Sequence, residues 1–333
     1  MDEELVREEP RRQKGISSFW WVGLVIATVV GWMIWQIPAV QDIWMGWGYE
    51  LEGKVAETVE GLELTEGAER ILKASRPLVE ESESFNEHCN SHDADISLLG
   101  CYADGKIYVY EVTVAEIAAA NKVTMAHELL HAIWDRLGFF EKGEVEEWLE
   151  EVYASRREWF DGELETYSDE ERLEEIYARA GTKLRDLPEG LERHYAKFFR
   201  NRARVVDYYE EYEAPFLALK MEMETLAETI IRVKMEIDVE KVAYEGEVAD
   251  LDMRIREFNS CLEVAGCIAS VEEAWGRGTA LNQEKEALEL TRDRLNEKIM
   301  ENNERIDNYR EMQERIGRLN RAMNSNLVTV DEV

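Results

Sequence analysis

The segment "TMAHELLHAIWDRL", residues 124–137, carries the side chains best suited to chemistry. His127 and His131 stand four apart, so on an α-helix they share one face, a turn from each other. Two neutral imidazoles so placed can direct ring nitrogens at one ion, and at about 2.0–2.1 Å they are ordinary zinc ligands. Glu128 follows His127 directly and would sit beside the ion without binding it. From there its carboxylate can take a proton from zinc-bound water and hand it to a leaving amine. The chemistry that this spacing suits is hydrolysis of a peptide bond. A third protein ligand is needed, with a fourth position left for water. Leu137 stands where a third histidine six residues after His131 would fall, and Asp135, on the same helix, cannot easily close a tetrahedron. The acidic residues Glu170, Glu171, Glu174 and Glu175 remain as alternatives on a later helix.

The elements that must position these groups are legible around them. "ISLLGCY" and "KIYVYEV" flank Asp104-Gly105, a dipeptide suited to a tight turn with positive φ, and form an expected β-hairpin. The histidine helix follows, with Gly138 as its expected stop. The next acidic helix, over 169–180, opens on Ser168 and Glu171, a capping box, and Gly181 stands where a left-handed C-cap belongs. Its apolar stripe is Leu173, Ile176, Tyr177 and Ala180; Glu174 lies nearer that stripe than Glu175, so the helical wheel alone does not select the third ligand. An aromatic-rich helical stretch then runs to Pro215, the expected end of the globular part.

H-E-L-L-H followed by a glutamate on a later helix resembles the gluzincin branch of the zincin metallopeptidases. "EIYARAGTKLRDLPEGLERHYAKFF" is similar to a segment of predicted, largely uncharacterised bacterial membrane-linked metallopeptidases. The resemblance covers roughly residues 80–200, with a coiled-coil tail of similar style. It implies a zincin-like domain, a Zn2+ cofactor and a peptide or protein substrate. The glutamate opening the shared segment is taken as the third ligand there, so the resemblance implies Glu175 here. Zinc peptidases of this kind usually place a Tyr or His at the oxyanion, which makes Tyr177, His194 and Tyr195 candidates. "KIYVYEV" is a candidate edge strand for aligning an extended peptide by strand addition. His88 and His92 beside Cys89 form a weaker candidate metal site in a polar loop.

From Gly15 to Gln41 no residue is charged, a length sufficient for one membrane-spanning helix. Trp20 and Trp21 at one end, with Trp35, Trp44 and Trp47 at the other, suit the two interfacial belts. Arg7, Arg11, Arg12 and Lys14 precede the run, whereas Lys54 is the only base at a similar distance after it, so the N-terminus is expected in the cytoplasm and the remainder outside. A cleaved signal peptide on a secreted enzyme is the rival reading. Cys89 with Cys101, and Cys261 with Cys267, read as two local disulfides in that oxidising compartment.

Beyond Phe216 apolar residues recur four and three apart, through Leu219, Met223, Leu226, Ile230, Val233 and Ile237. A second run keeps a seven-residue repeat from Leu281 through Leu288, Leu295, Asn302, Tyr309 and Ile316 to Met323. Joined by "NSCLEVAGCIASVEEAWGRG", the two read as an antiparallel coiled-coil hairpin, with Asn302 setting register on the seam. The alternative is that each helix pairs with another molecule, as a homodimer or with a partner protein. The net charge of −33 argues against a nucleic-acid partner, because phosphates demand clustered Lys and Arg.

The chain is therefore expected to be α+β but mainly helical. Its parts would be a cytoplasmic tail (1–15), a signal anchor (16–40), a zincin-like metallopeptidase domain (41–215), an antiparallel coiled coil (216–323) and a tail (324–333). The expected activity is that of a membrane-anchored, extracytoplasmic zinc metallopeptidase using His127, His131, Glu175 and Glu128. The alternative is a membrane-anchored coiled-coil interaction protein with an inactive zincin-like domain.

Overall fold

The computed structural model describes residues 18–35, 37–89, 98–164 and 167–326. The chain is mainly helical, with twelve α-helices and three short strands among the described residues. It divides into two units: 1–212 with 323–333, and 213–322.

The charge-free N-terminal run is split. Helix α1 spans Ser18–Trp35 and α2 spans Pro38–Met45. Pro38 disfavours helical geometry at the residue before it, and Ile37 is extended at φ −80° and ψ 115°. Among the described residues no single helix is long and apolar enough to cross a membrane. Gly23–Met33 and Pro38–Met45 pass that test only together, bent by 84°. The bases Arg7, Arg11, Arg12 and Lys14, and His92, lie outside the described residues.

Two short helices follow, α3 (Gly53–Val59) and α4 (Glu66–Ala74), the second capped by the Thr65 hydroxyl. Strand β1 (Leu78–Glu80), helix α5 (Ser82–His88), β2 (Gly100–Ala103) and β3 (Lys106–Tyr110) complete a three-stranded sheet in the order β1-β3-β2. β2 and β3 pair antiparallel from Gly100↔Val109 to Ala103↔Lys106, across the expected turn. Asp104 and Gly105 both adopt positive φ there, 51° and 74°, as a tight hairpin requires. The sequence pattern did not reveal β1, a three-residue strand that pairs parallel to β3. It moves β3 to the centre of the sheet, so "KIYVY" is not the edge strand; among the described residues β2 is an edge.

Helix α6 (Ala119–Trp134) carries the H-E-x-x-H segment and is the hub of the first unit. It packs against β2 and β3 and also against α9 (Asp169–Lys183). That environment explains why Met125, Ala126, Leu129, Leu130 and Ala132 are all fully buried. α6 ends with Asp135 as its C-cap; Gly138, expected to stop it, is instead the extended N-cap of α7 (Phe139–Ser155). The short helix α8 (Arg157–Leu164) leads to α9, which opens on the full Ser168–Glu171 capping box. Gly181 lies inside α9 rather than ending it. A Cβ there would meet Leu130 Cδ1 at 2.4 Å and the Tyr195 ring at 3.0 Å, so the glycine permits close approach of α6 and α9. Helix α10 (Glu189–Tyr195) closes this layer.

Two long helices, α11 (Ala203–Leu262) and α12 (Val271–Ala322), provide the second unit, a helical hairpin from Glu213 to Ala322. Pro215 lies inside α11. Ion pairs run antiparallel, Arg254 to Glu284 near the turn and Lys298 to Glu240 (2.6 Å) further along. Val233, Ile237 and Leu295 form a buried cluster on the seam. Asn302 is buried there, with its side-chain carbonyl unpartnered. Cys261 and Cys267 are paired at the turn, and Cys89 is paired with Cys101, with Cα separations of 5.4 and 5.9 Å.

Candidate metal centre

A cavity of about 680 Å³ opens between β2, α6 and α9. His127 and His131 face into it from one side of α6, as their four-residue spacing requires. Across from them α9 presents Glu175, which is buried. His127 Nε2 and His131 Nε2 are 3.2 Å apart. Glu175 places Oε1 3.5 Å from the first and Oε2 3.4 Å from the second. These three residues are the one cluster of potential metal ligands among the described residues.

The separations have a simple meaning. Four ligands in a tetrahedron about zinc at 2.0–2.1 Å stand about 3.3–3.4 Å from one another. The two imidazole nitrogens stand close to such an edge, each Glu175 oxygen stands at a similar distance from one of them, and with one atom taken per residue the three donors lie within 4.8 Å of one another; two imidazoles with one carboxylate suit zinc. Glu174 is engaged differently: its Oε1 lies 2.7 Å from His131 Nδ1. A carboxylate accepting from Nδ1–H fixes the tautomer that turns the Nε2 lone pair towards the cluster. The helical wheel left Glu174 and Glu175 open; packing of α9 on α6 sends Glu175 to the shared donors and Glu174 to the back of His131.

Electrostatics within the cluster are strongly coupled. Burial pushes the His127 imidazole below its ordinary value, with Glu175 opposing. Burial also works against the charged form of His131, but hydrogen bonds to Glu174 and Glu175 prevail and raise it to about 10. Glu175 is raised by burial and lowered by the two facing imidazoles, which hold it well below the usual carboxylate range. Arg179, one turn on, donates from Nε to Glu175 Oε1 at 2.6 Å.

Glu128 lines the cavity and is buried. Burial pushes it up to about 8; Glu175 and Glu174 add to the shift and His131 opposes it. It packs directly under β2. A Cβ on Gly100 would lie 2.7 Å from Glu128 Oε1 and 2.5 Å from Thr124 Cγ2, so only glycine lets the strand approach this closely.

Tyr177, His194 and Tyr195 do not line the cavity. All three are buried in an aromatic cluster with Trp134. The Tyr177 hydroxyl lies 2.9 Å from His194 Nε2, and the Tyr195 hydroxyl donates to the Tyr177 carbonyl at 2.6 Å. Burial pushes both phenols well up and His194 down to about 4. Their polar atoms are committed to one another, away from the lining of the cavity where an oxyanion would form. His88 pairs with Glu80 at 3.0 Å and stacks on Tyr108.

Three residues escaped sequence reasoning. Tyr167 and Arg179 line the cavity, and burial pushes the Tyr167 phenol up, with Glu175 adding to the shift and Arg179 opposing it. Arg202 is buried and donates to the carbonyls of Leu184 (2.6 Å) and Arg185 (2.9 Å) while pairing with Glu192. It thereby satisfies backbone acceptors just beyond the end of α9, the helix that bears Glu174 and Glu175. No periodic pattern marks either role; both arise from packing.

The chain matches no protein-family model, no curated protein and no solved structure.

Proposed function

We propose that this protein is a membrane-anchored zinc peptidase of the zincin type, with His127, His131 and Glu175 as the metal ligands. The observation that carries the reading is the convergence of one donor atom from each of the three residues within 4.8 Å, with the two imidazole nitrogens 3.2 Å apart, close to the edge of a zinc tetrahedron. A bound zinc ion supplies Lewis acidity, polarising a scissile carbonyl and making water more acidic. Glu128 acts as the general base, its carboxylate held between β2 and the histidine helix. Glu174 orients His131 through Nδ1. Tyr167 and Arg179, on the cavity wall, are the candidate donors to a developing oxyanion. β2 takes the place first expected for "KIYVYEV": its outer edge borders the cavity, where an extended peptide can pair with the backbone.

The apolar run over 16–40 would anchor the chain, with the preceding basic residues keeping the N-terminus in the cytoplasm. Two paired cysteines in each unit suit an oxidising compartment beyond that membrane.

Zinc content and peptidase activity of the full chain in detergent test this reading together. One zinc per chain is expected in the wild type and in Glu128→Gln, with hydrolysis lost only in the second. Folded protein that takes up no zinc after reconstitution would overturn the assignment and leave the coiled-coil interaction protein as the better account. An active Glu128→Gln would remove the proposed base.

A further inference from the structure

Helix α11 has two apolar faces, and the hairpin uses one. Leu219, Val233, Ile237 and Leu251 are buried on the seam towards α12. A second row, Met221, Ile231, Met235, Val239, Val242 and Met253, remains between 58% and 71% exposed. At 3.6 residues per turn the second row occupies an arc of about 80°, centred about 180° from the seam. It runs about 48 Å along the helix. Isolated exposed apolar residues are ordinary, but six aligned on one face, interrupted by Glu224 and Glu228 towards one end and by Gly246 and Ala249 towards the other, mark an interaction surface.

The order of this row identifies its occupant. Positions equidistant from residue 237 match: Met221 with Met253, Met235 with Val239, and Ile231 with Val242 to within one residue. An antiparallel copy of the same helix would therefore place apolar on apolar at these six positions, which is the self-complementarity of a two-fold interface. Glu228 falls within the row, and its antiparallel counterpart is Gly246, around which a side chain meets nothing within 4 Å. A parallel pair would instead put Glu228 on Glu228 and Glu224 on Glu224, with like charges opposed. In the antiparallel pair Glu224 comes opposite Asp250, which is already paired with Arg254 at 2.8 Å. Each side chain offers on the order of 100 Å², so twelve supply about 1,200 Å², within the range of specific interfaces.

We propose that the chain forms a two-fold homodimer in which the exposed faces of α11 from two copies pack antiparallel about residue 237. This surface is independent of the metal site and does not require that the protein be a peptidase.

Sedimentation of the full chain in density-matched detergent is expected to give twice the mass of one chain. Met235→Glu/Val239→Glu should weaken association at least about 100-fold by placing carboxylates together at the dyad. Helix content should not change, because both sites face solvent in a single chain. Leu290→Glu, on the exposed face of α12, should leave the dimer intact. Orientation is read by cross-linking with a bifunctional maleimide, the paired native cysteines being unreactive. Met221→Cys mixed with Met253→Cys should give the mixed product in excess over either self-linked product. A monomeric wild type, a double variant that still dimerises, or Met221→Cys linking mainly to itself would each overturn the proposal.

Discussion

Alanine at Glu174 and alanine at Glu175 delete neighbouring carboxylates on one helix, yet they should affect the metal site very differently. Glu174→Ala removes the partner 2.7 Å from His131 Nδ1 and leaves His127, His131 and Glu175 converging as before. Loss of an outer partner of this kind typically weakens metal binding 10–100-fold, about 1.4–2.7 kcal/mol. Glu175→Ala removes one of the three donors, and two imidazoles on a single helical turn remain. Its loss should exceed the upper end of that range, more than about 100-fold. Competition against a chelator of known zinc affinity, at fixed pH, measures both variants on one scale. Glu174→Gln refines the comparison, because the amide can keep a hydrogen bond to Nδ1 without the charge, and it should fall between the wild type and Glu174→Ala. Zinc lost in Glu174→Ala but retained in Glu175→Ala would refute the reasoning, as it would exchange the roles of ligand and orienting group. An unchanged affinity in Glu174→Ala would show that the Nδ1 contact does not orient His131.

Three further outcomes follow from packing and burial. His194 is held neutral with a folded value of about 4, below its ordinary 6.5, so its contribution to stability is complete above pH 6.5 and is lost as pH falls towards 4. That loss amounts to roughly 3 kcal/mol; comparing denaturant unfolding at pH 7 and pH 4.5 should show it in the wild type and not in His194→Gln, and equal losses in both would refute it. Gly100→Ala drives a methyl group into Thr124 and Glu128 and should cost about 1–3 kcal/mol in thermal unfolding; an unchanged melting temperature would mean that β2 does not press on the helix as described. Asn302→Leu removes a buried carbonyl that has no partner and should stabilise the hairpin by about 1–3 kcal/mol, read as a higher midpoint in denaturant.

Much of the local structure could be read directly from the chain. The four-residue spacing of His127 and His131 forces them onto one helical face, and Asp104-Gly105 supplies the positive φ of the hairpin turn. Ser168 and Glu171 form their capping box within four residues, and the heptad of α12 places Asn302 on a buried seam. Each of these is a local rule, because the partners lie within one or two turns of one another.

The rest depended on contacts between distant segments. Glu174 and Glu175 differ by only about 100° on their helix, and the wheel did not select between them; the packing of α9 on α6, close because Gly181 has no side chain, sends Glu175 to the imidazoles. Tyr177, His194 and Tyr195 have the chemistry of oxyanion donors, yet tertiary packing buries them together and commits their polar atoms to one another. β1, three residues long, carries too little pattern to announce itself, but its pairing moves β3 to the centre of the sheet and leaves β2 beside the cavity. Sequence alone therefore determined which groups could do chemistry and on which element each would lie. Which of them meet was decided only by the tertiary structure, because convergence is set by packing between elements, and no period along the chain encodes it.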